Sequence, residues 1–393
     1  MREVVITGAV RTAIGKFGGT LAAVPATELG AVTVREALAR SGVRPADVDE
    51  VIMGQVLQVG AGLNPARQAA LKAGVPVGVP AFTVNKVCAS GMKAVSLAAQ
   101  SVAGGEQNIV VAGGMENMSA APFLLPEARW GYRLGSGEMV DSLLSEALTD
   151  PGEQCHMGIT AENIAADMDV SRRDQDEFAA LSQQKAAKAI SAGRFQTEIV
   201  PVEVPQRKGD PIRFGTDEHP RPDTTVEVLA KLKPAFKEDG TVTAGNASGI
   251  NDGAAAMVVM ARDEADRRGI QPMAAILGYA SAGVEPTRMG LGPVPATVAV
   301  LGAADISLGQ VDAMELNEAF AAQSLGVIRE LELPVEKVNV NGGAIALGHP
   351  VGASGARILV TLLHILRDRD LSVGLATLCV GGGQGMAMVV KAL

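Results

Sequence analysis

Aromatic residues are scarce in this 393-residue chain, where phenylalanine, tryptophan and tyrosine together make up only 3% of the sequence. Hydrophobic residues nevertheless account for 47% of the chain, and 46 residues are glycine. The apolar content is therefore mostly small and aliphatic, which suits closely packed helices and buried parallel strands. The composition predicts an α/β protein with a large core, and it excludes a disordered chain.

Positive charge is also in short supply, because 34 lysines and arginines face 43 aspartates and glutamates, for a net charge of -9. This balance gives no electrostatic reason to expect nucleic acid or an anionic membrane as a partner. An anionic ligand would need a local basic patch.

Cysteine is limited to Cys88, Cys155 and Cys379, without the close spacing of a zinc site or of a disulfide framework. Such cysteines indicate free thiols in a reducing compartment. No signal-peptide pattern precedes the apolar residues 4–6, so we expect a cytoplasmic protein. Residues 371–390 carry no charge, but glycines interrupt them, which favours a buried pair of strands over a membrane helix.

Short apolar runs alternate with helical patterns in the first third of the chain. Residues 4–8, 51–53 and 108–112 are predicted strands, and residues 26–41 are a predicted helix. The same alternation of apolar runs and helical patterns recurs from about residue 272 onward. This alternation predicts a mainly parallel sheet with helices on its faces.

A faint internal repeat supports two similar halves. Residues 83–85 (TVN) precede Ser90-Gly91, and residues 339–341 (NVN) precede Ser354-Gly355; a helical run and a strand follow in each case. Two short matches can arise by chance, but together with the similar alternation in the two parts of the chain they favour a duplicated α/β fold.

The middle of the chain carries most of the loop signals. Its clearest predicted helix covers residues 171–195, where Ser171 and Asp174 have capping-box spacing. Residues 201–234 then combine prolines with basic side chains, for which a solvated surface is the common explanation. We interpret this region as a long segment that leaves the α/β core and covers a site.

Cys88 lies in the segment NKVCASGMKA, after a predicted strand and at the start of a predicted helix. The positive end of the helix dipole is expected to lower the pKa of this thiol and favour the reactive thiolate. Small neighbours would let a substrate approach closely. In isolation, an inert buried cysteine is the commoner explanation of such a segment.

His349 lies in the glycine-rich segment 341–357 (NGGAIALGHPVGASGAR), where Pro350 fixes the chain just after the imidazole. This setting favours a functional histidine, and no nearby His or Cys has metal-ligand spacing. Asn317, in ELNEAFA, is either a helix cap or a residue that orients a water or a carbonyl. His364 falls in a predicted amphipathic helix, 356–369, and is expected to be structural.

Cys379 ends a predicted strand and precedes VGGGQG. Glycine amides there suit an oxyanion site, although a buried cysteine before a hairpin turn explains the pattern equally well. The glycine run lacks the ending of a phosphate-binding P-loop. His156, in CHMG, is a candidate for substrate contact, and the neighbouring Cys155 is treated as incidental.

Together these segments closely resemble the thiolases over essentially the whole chain. The motifs that carry the resemblance occur in order: RTAIGKFGG (11–19), NKVCASGMKA (85–94), GGMENMS (113–119), NASGINDGAA (246–255), ELNEAFA (315–321), and the His349 and Cys379 segments. Their joint order and spacing are specific, although no single motif decides the resemblance.

The resemblance implies the thiolase fold, an α/β fold whose two duplicated halves form a five-layered αβαβα core with an inserted loop domain. The implied division is an N-terminal half over residues 1–121, an inserted domain for coenzyme A binding and oligomer contacts over 122–250, a return strand over 251–271 and a C-terminal half over 272–393.

The resemblance also implies a reaction: reversible Claisen condensation of two acetyl-CoA molecules to acetoacetyl-CoA and CoA. Cys88 would be acylated, His349 would activate its thiol, and Cys379 would act as acid and base. Asn317 would hold a water that forms one oxyanion hole with His349, and the amides of Cys88 and Gly381 would form a second. The thioesters are substrates, and neither a permanent cofactor nor a metal is expected.

Residues expected by resemblance to bind coenzyme A are His156, Met157, Arg221, Phe236, Ser248 and Phe320. Residues 122–140, including Trp130, correspond to a loop through which such enzymes assemble, so we expect a homo-oligomer and favour a tetramer over a dimer.

Three alternatives remain open from the sequence. A degradative 3-ketoacyl-CoA thiolase would accept longer chains, whereas Met157 is expected to close the acyl pocket. A decarboxylating ketoacyl synthase shares an acylated cysteine, but Cys379 argues against it. A non-catalytic coenzyme A or lipid carrier on the same fold is disfavoured by the intact Cys88, His349 and Cys379.

Overall fold

The computed structural model describes residues 2–393. The strands are β1 Val4–Thr12, β2 Gly15–Lys16, β3 Glu50–Gly54, β4 Ala81–Val84, β5 Ile109–Asn117, β6 Phe123–Leu124, β7 Val140–Asp141, β8 Thr149–Asp150, β9 Cys155–His156, β10 Ile199–Val200, β11 Val202–Val204, β12 Ile212–Phe214, β13 Asn251–Ala261, β14 Ala274–Gly283, β15 Ala313–Leu316, β16 Val373–Val380 and β17 Gln384–Ala392. The helices are α1 Ala26–Ser41, α2 Pro65–Lys72, α3 Ser90–Gly104, α4 Met157–Asp167, α5 Arg172–Ser191, α6 Val226–Leu229, α7 Arg262–Arg268, α8 Pro293–Ala304, α9 Ala321–Glu330, α10 Ala344–Leu347 and α11 Val351–Asp368.

The main sheet has the strand order β15-β16-β17-β14-β1-β13-β5-β3-β4. The prediction of a mainly parallel sheet is wrong. The pairs β3–β4, β3–β5 and β15–β16 are parallel, but the long pairs β1–β13, β5–β13, β14–β17 and β16–β17 are antiparallel. A tight turn joins β16 to β17, and a tight turn can connect only antiparallel neighbours.

The two halves have the same topology. The strand order is β1-β13-β5-β3 in one half and β14-β17-β16-β15 in the other. In each half the first two pairs of this order are antiparallel and the third pair is parallel. β1 and β14 join the halves through the pairs Val5 with Ala275 and Ile6 with Ala274. The predicted duplication is therefore confirmed, while the exact domain boundaries stay predictions.

Glycines at matching positions of the repeat let α3 and α11 pack closely. A Cβ atom on Gly91 would lie 2.8 Å from the backbone nitrogen of Ala356, and one on Gly355 would lie 2.7 Å from that of Met92. Any side chain at either glycine would therefore clash with the facing helix. The contact is reciprocal, as expected for duplicated halves, and it brings the start of α3 beside the His349 segment.

Helix α11 begins five residues before the predicted start and is buried from Val351 to Leu366. It is therefore a central helix of the fold, buried on all sides over most of its length. His364 is part of this packing, with Nε2 3.1 Å from the carbonyl oxygen of Ala9. Its contacts are those of a structural histidine.

The long segment between β5 and β13, which was predicted to cover a site, contains α4, α5, α6 and several short strands. Ser171 and Asp174 form the predicted capping box at the start of α5, but the helix ends at Ser191, four residues early. Gly193 follows with a left-handed φ of 69°, a conformation that stops a helix. Among residues 2–393, no helix is long and apolar enough to cross a membrane.

Candidate active site

Cys88 lies in a tight turn between β4 and α3. Val87, just before it, has a φ of 47°, which is strained for a β-branched side chain. Ser90 stabilises the turn, since its Oγ accepts a hydrogen bond from the Lys86 amide at 2.8 Å and donates one to the Val87 carbonyl at 2.6 Å. The turn places the thiol at the helix start with only 9% of the residue exposed.

Burial raises the pKa of the Cys88 thiol to about 11, although the backbone amides of Gly381 and Cys88 hydrogen-bond to the sulfur and oppose the rise. The predicted lowering of this pKa is wrong. The helix start does supply amide donors, but the loss of solvent around the thiolate outweighs them. The free thiol is therefore protonated at neutral pH and needs a base.

His349 is held in a defined tautomer by a serine that the sequence reading did not assign a role. The Oγ of Ser354 lies 2.5 Å from His349 Nδ1 and donates its own hydrogen to the Pro350 carbonyl at 2.9 Å. With the hydroxyl hydrogen on that carbonyl, the Oγ accepts from a protonated Nδ1, and the Asn317 Nδ2 donor 3.5 Å from Nε2 fits the same tautomer. His349 Nε2 is consequently unprotonated and available as a base.

Burial lowers the pKa of His349 to about 3, and the positive charge of Arg357 contributes. The imidazole is therefore neutral over the physiological range. Together with the raised pKa of Cys88, this makes the resting pair a thiol and a neutral imidazole, with no thiolate–imidazolium pair. Proton transfer must accompany substrate attack.

Asn317 follows β15 and is fully buried. Its backbone amide donates a hydrogen bond to the Thr377 carbonyl of β16 at 3.0 Å, which fixes the residue at the end of the sheet. Its Nδ2 lies 3.5 Å from His349 Nε2, so the two predicted partners are adjacent. Its Oδ1 has no hydrogen-bond partner within residues 2–393. A buried side-chain amide whose oxygen accepts no hydrogen bond is unusual for a residue that only caps a helix.

Cys379 lies near the end of β16, opposite Gly385 of β17, and is completely buried. It belongs to an apolar cluster that also contains Met157 and Phe320. Burial raises the pKa of its thiol, and the nearby Cys88 thiolate raises it further. The two sulfurs come from different halves, and the ionisation of Cys379 depends on that of Cys88.

A cavity of about 320 Å³ opens over Cys88. Eight of the predicted site residues line it: Cys88, His156, Met157, Phe236, Ser248, Phe320, His349 and Gly381. Asn317 and Cys379 do not line the cavity, although each contacts or packs beside a residue that does. Its volume lies within the usual range of small-molecule sites.

Aromatic rings form one wall of the cavity. The rings of His156 and Phe236 stack with centroids 4.8 Å apart, and Phe320 meets Phe236 edge to face at 6.1 Å. His156 Nδ1 accepts a hydrogen bond from the Gly158 amide at 3.0 Å and so caps α4. The wall is therefore rigid and mostly apolar.

Met157 lines the cavity close to Gly381. Its sulfur would lie 3.3 Å from a Cβ atom placed on Gly381, which shows how closely the side chain approaches that backbone. Ser248 also lines the cavity, and its backbone amide donates a hydrogen bond to the Ala319 carbonyl at 2.9 Å.

Arg221 is exposed and does not line this cavity. Its backbone amide donates to Gln183 Oε1 at 2.8 Å, which anchors the loop on α5. The structure therefore brings together the other predicted coenzyme A residues without Arg221, whose contact with phosphate or adenine stays a prediction.

Two residues that position His349 had no assigned role in the sequence reading. One is Ser354, five residues after the histidine. The other is Asn251, whose Oδ1 accepts a hydrogen bond from the His349 amide at 2.9 Å and whose Nδ2 donates to the Gly15 carbonyl at 3.0 Å. Both lie inside motifs quoted above, but only the fold shows which atoms they contact.

A buried thiol with amide donors, a neutral imidazole beside it and a second thiol define an enzyme that transfers acyl groups through cysteine. The thiolase N-terminal domain model matches residues 4–263, and the thiolase C-terminal domain model matches residues 270–392. The chain belongs to the thiolase family of enzymes.

Relatives and solved structures agree with this assignment over full length. An acetyl-CoA acetyltransferase of Pseudomonas aeruginosa is 58% identical over 390 residues, 99% of each chain. The crystal structure of the Bacillus anthracis acetyl-CoA acetyltransferase superposes with a TM-score of 0.98 at 49% identity, covering 100% of this chain and 99% of that one. Human mitochondrial 3-ketoacyl-CoA thiolase in complex with CoA gives 0.96 at 44% identity, covering 100% and 98%.

Proposed function

We propose that the protein is an acetyl-CoA C-acetyltransferase, which condenses two acetyl-CoA molecules to acetoacetyl-CoA and CoA and catalyses the reverse thiolysis. The observation that carries the proposal is that Cys88, His349 and Gly381 line one cavity, with the Nε2 of His349 available to accept a proton. The names of the similar bacterial enzymes support the choice of acetyl-CoA as substrate.

In the first step His349 Nε2 takes the proton of Cys88 as the sulfur attacks the thioester carbonyl. The carbon–sulfur bond to CoA breaks, the CoA thiolate takes a proton from Cys379, and acetyl-Cys88 remains. The carbonyl oxygen acquires negative charge during the attack, and we assign its stabilisation to the Cys88 and Gly381 amides, which hydrogen-bond to the sulfur in the free protein. Exchange between two thioesters changes the free energy little.

In the second step the Cys379 thiolate removes a methyl proton from another acetyl-CoA. The enolate oxygen would be stabilised by protonated His349 and by a water held by Asn317. The enolate carbon attacks acetyl-Cys88, the carbon–sulfur bond breaks, and Cys88 regains its proton from His349. Protons and charges are thereby restored, with Cys379 acting as acid in the first step and base in the second.

The cavity geometry favours a short acyl group. Met157 lies next to Gly381 in the lining of the cavity, and we assign it the role of limiting the length of the acyl group on Cys88. The stacked wall of His156 and Phe236 is suited to the pantetheine arm of coenzyme A, with Ser248 beside it. Arg221 would meet the phosphates or adenine farther out.

We also propose a homo-oligomer, a tetramer in preference to a dimer. Residues 122–140 project large apolar side chains, including Trp130 at 80% and Leu134 at 100% exposure. A second copy of the chain would cover them. The three free cysteines support a reducing, cytoplasmic location.

The decisive experiment measures activity in both directions with substrates of two lengths. We expect condensation of acetyl-CoA, and thiolysis of acetoacetyl-CoA with a clearly higher kcat/KM than thiolysis of 3-ketooctanoyl-CoA. A preference for the longer substrate would replace the proposal with a 3-ketoacyl-CoA thiolase of broader range. A requirement for a malonyl thioester would instead indicate a decarboxylating synthase.

A further inference from the structure

A second cavity, of about 410 Å³, lies between the end of α5, the end of α11 and the start of the His349 segment. Its lining consists of Lys185, Lys188, Ala189, Ala192, Arg194, Val340, Asn341 and Arg369. Four of these residues are cations and none is acidic. Such a concentration of positive charge is unexpected in a chain whose net charge is -9.

None of the four cations forms an ion pair with a carboxylate within residues 2–393. The ammonium group of Lys185 donates only to the Val338 carbonyl, at 2.9 Å. Burial lowers the pKa of Lys185; the carboxylates of Glu318 and Glu315 oppose this shift, and the positive charge of Arg369 adds to it. Lys185 and Arg369 are therefore close enough to repel each other.

Asn341 provides an independent observation. It is only 8% exposed and lines the cavity, yet its side chain makes no hydrogen bond with any group in residues 2–393. The 117 hydrogen bonds that involve side chains include none from this amide, whereas Asn339, two residues earlier, is fully bonded to Leu316 and Glu318. Neither polar atom of this side chain is sealed from solvent, so the amide is open to the cavity and free to bind a ligand there.

Helix dipoles explain part of this arrangement. Lys188 lies in the last turn of α5, and Arg369 follows the last residue of α11, positions where the helix dipole favours a cation. The dipole accounts for each cation separately. It does not account for four cations around one cavity without an acidic side chain, nor for the free amide of Asn341.

We propose that this cavity binds a small phosphorylated anion with at least two negative charges, separately from the coenzyme A channel. Lys188, Arg194 and Arg369 would neutralise the phosphate oxygens, and the Asn341 side chain would donate a hydrogen bond to the anion. The lining residues of this cavity and of the cavity over Cys88 do not overlap. Arg221, the residue assigned above to the phosphates or adenine of the substrate, does not line this second cavity either. The proposed occupant is therefore a free phosphorylated molecule.

The test is calorimetric titration of the protein with inorganic pyrophosphate, in the absence of CoA and again with CoA at saturation. We expect saturable binding of one pyrophosphate per chain in both cases. The double substitution Lys188→Gln and Arg369→Gln should raise the dissociation constant at least about tenfold, because two charge-assisted contacts are lost. Both side chains are exposed, and an unchanged melting temperature would verify the fold of the variant.

Lys391→Gln is the matched control, since it removes one exposed, unpaired charge on β17 and should leave pyrophosphate affinity unchanged. The single variant Lys188→Gln should show a smaller loss than the double variant. Absence of saturable binding, or equal affinity in the double variant, would refute the proposal. Loss of binding when CoA saturates the protein would also refute it, because the anion would then occupy the substrate site.

Discussion

The two thiols of the active site have different surroundings, although both have glycines nearby. Cys88 lines the cavity, lies at the start of α3 and receives hydrogen bonds from its own backbone amide and from that of Gly381. Cys379 is completely buried in β16, does not line the cavity and has only its own backbone amide as a donor. The comparison shows that access to the cavity and the Gly381 amide distinguish the proposed nucleophile from the proposed acid and base.

Each thiol comes from a different half of the duplicated fold. Cys88 precedes α3 of the first half, whereas Cys379 and His349 belong to the second. The contact of Gly91 and Gly355 across α3 and α11 brings these elements together. A site that needs both halves is consistent with a reaction in two steps that use different thiols.

The largest expected effect is that of Cys88→Ser. A serine hydroxyl is a far weaker nucleophile beside a neutral imidazole, so we expect turnover to fall by at least about 10⁴-fold. Radiolabelled acetyl-CoA should leave no stable label on the variant. The matched control is Cys155→Ser, which alters the third free cysteine, outside the cavity lining, and should retain activity. Full activity of Cys88→Ser would end the proposed mechanism.

Cys379→Ala tests whether the two thiols truly have separate roles. We expect condensation to fall by about 10³-fold, because the base for the methyl proton is gone. Exchange of the acetyl group between acetyl-CoA and labelled CoA should be retained, although slowed. Both rates are measured on one preparation; an equal loss of both would remove the distinction between Cys379 and Cys88.

Ser354→Ala tests whether Ser354 fixes the position of the proton on His349, which acts on Cys88 and not on Cys379 in the proposed mechanism. Without the Ser354 hydroxyl the imidazole loses the contact that keeps the proton on Nδ1, so we expect kcat to fall about 10- to 100-fold with little change in KM. Ser354→Thr keeps the hydroxyl and should recover part of the loss. A raised KM with unchanged kcat would show that the serine only shapes the cavity.

The smallest and most specific effect concerns pH. Since burial raises the pKa of Cys88 to about 11, its thiolate fraction increases steadily between pH 7 and 9.5. Alkylation of Cys88 by iodoacetamide, followed by mass spectrometry of its peptide, should therefore accelerate about tenfold per pH unit without reaching a plateau. His349, with a pKa of about 3, stays neutral over this range. A plateau below pH 8 would indicate a thiolate–imidazolium pair instead.

Much of the fold could be predicted from local patterns. The helix over residues 26–41 matches α1 in full, and the capping residues Ser171 and Asp174 start α5 as predicted, because these signals depend on neighbours in the chain. The parallel sheet was predicted wrongly, since the direction of β13 and β17 depends on long-range pairing. The start of α11 was missed because its buried first turn has no distinct polar pattern.

The sequence by itself determined the family and eight of the residues that line the cavity, Cys88 and His349 among them, because ordered motifs carry this information. Only the tertiary structure decided the ionisation of these groups. A helix start predicts an acidic thiol, but burial between two halves removes the water that would stabilise the thiolate, and this cost exceeds the effect of the amides. The tautomer of His349 and the position of Arg221 likewise depend on contacts between distant segments.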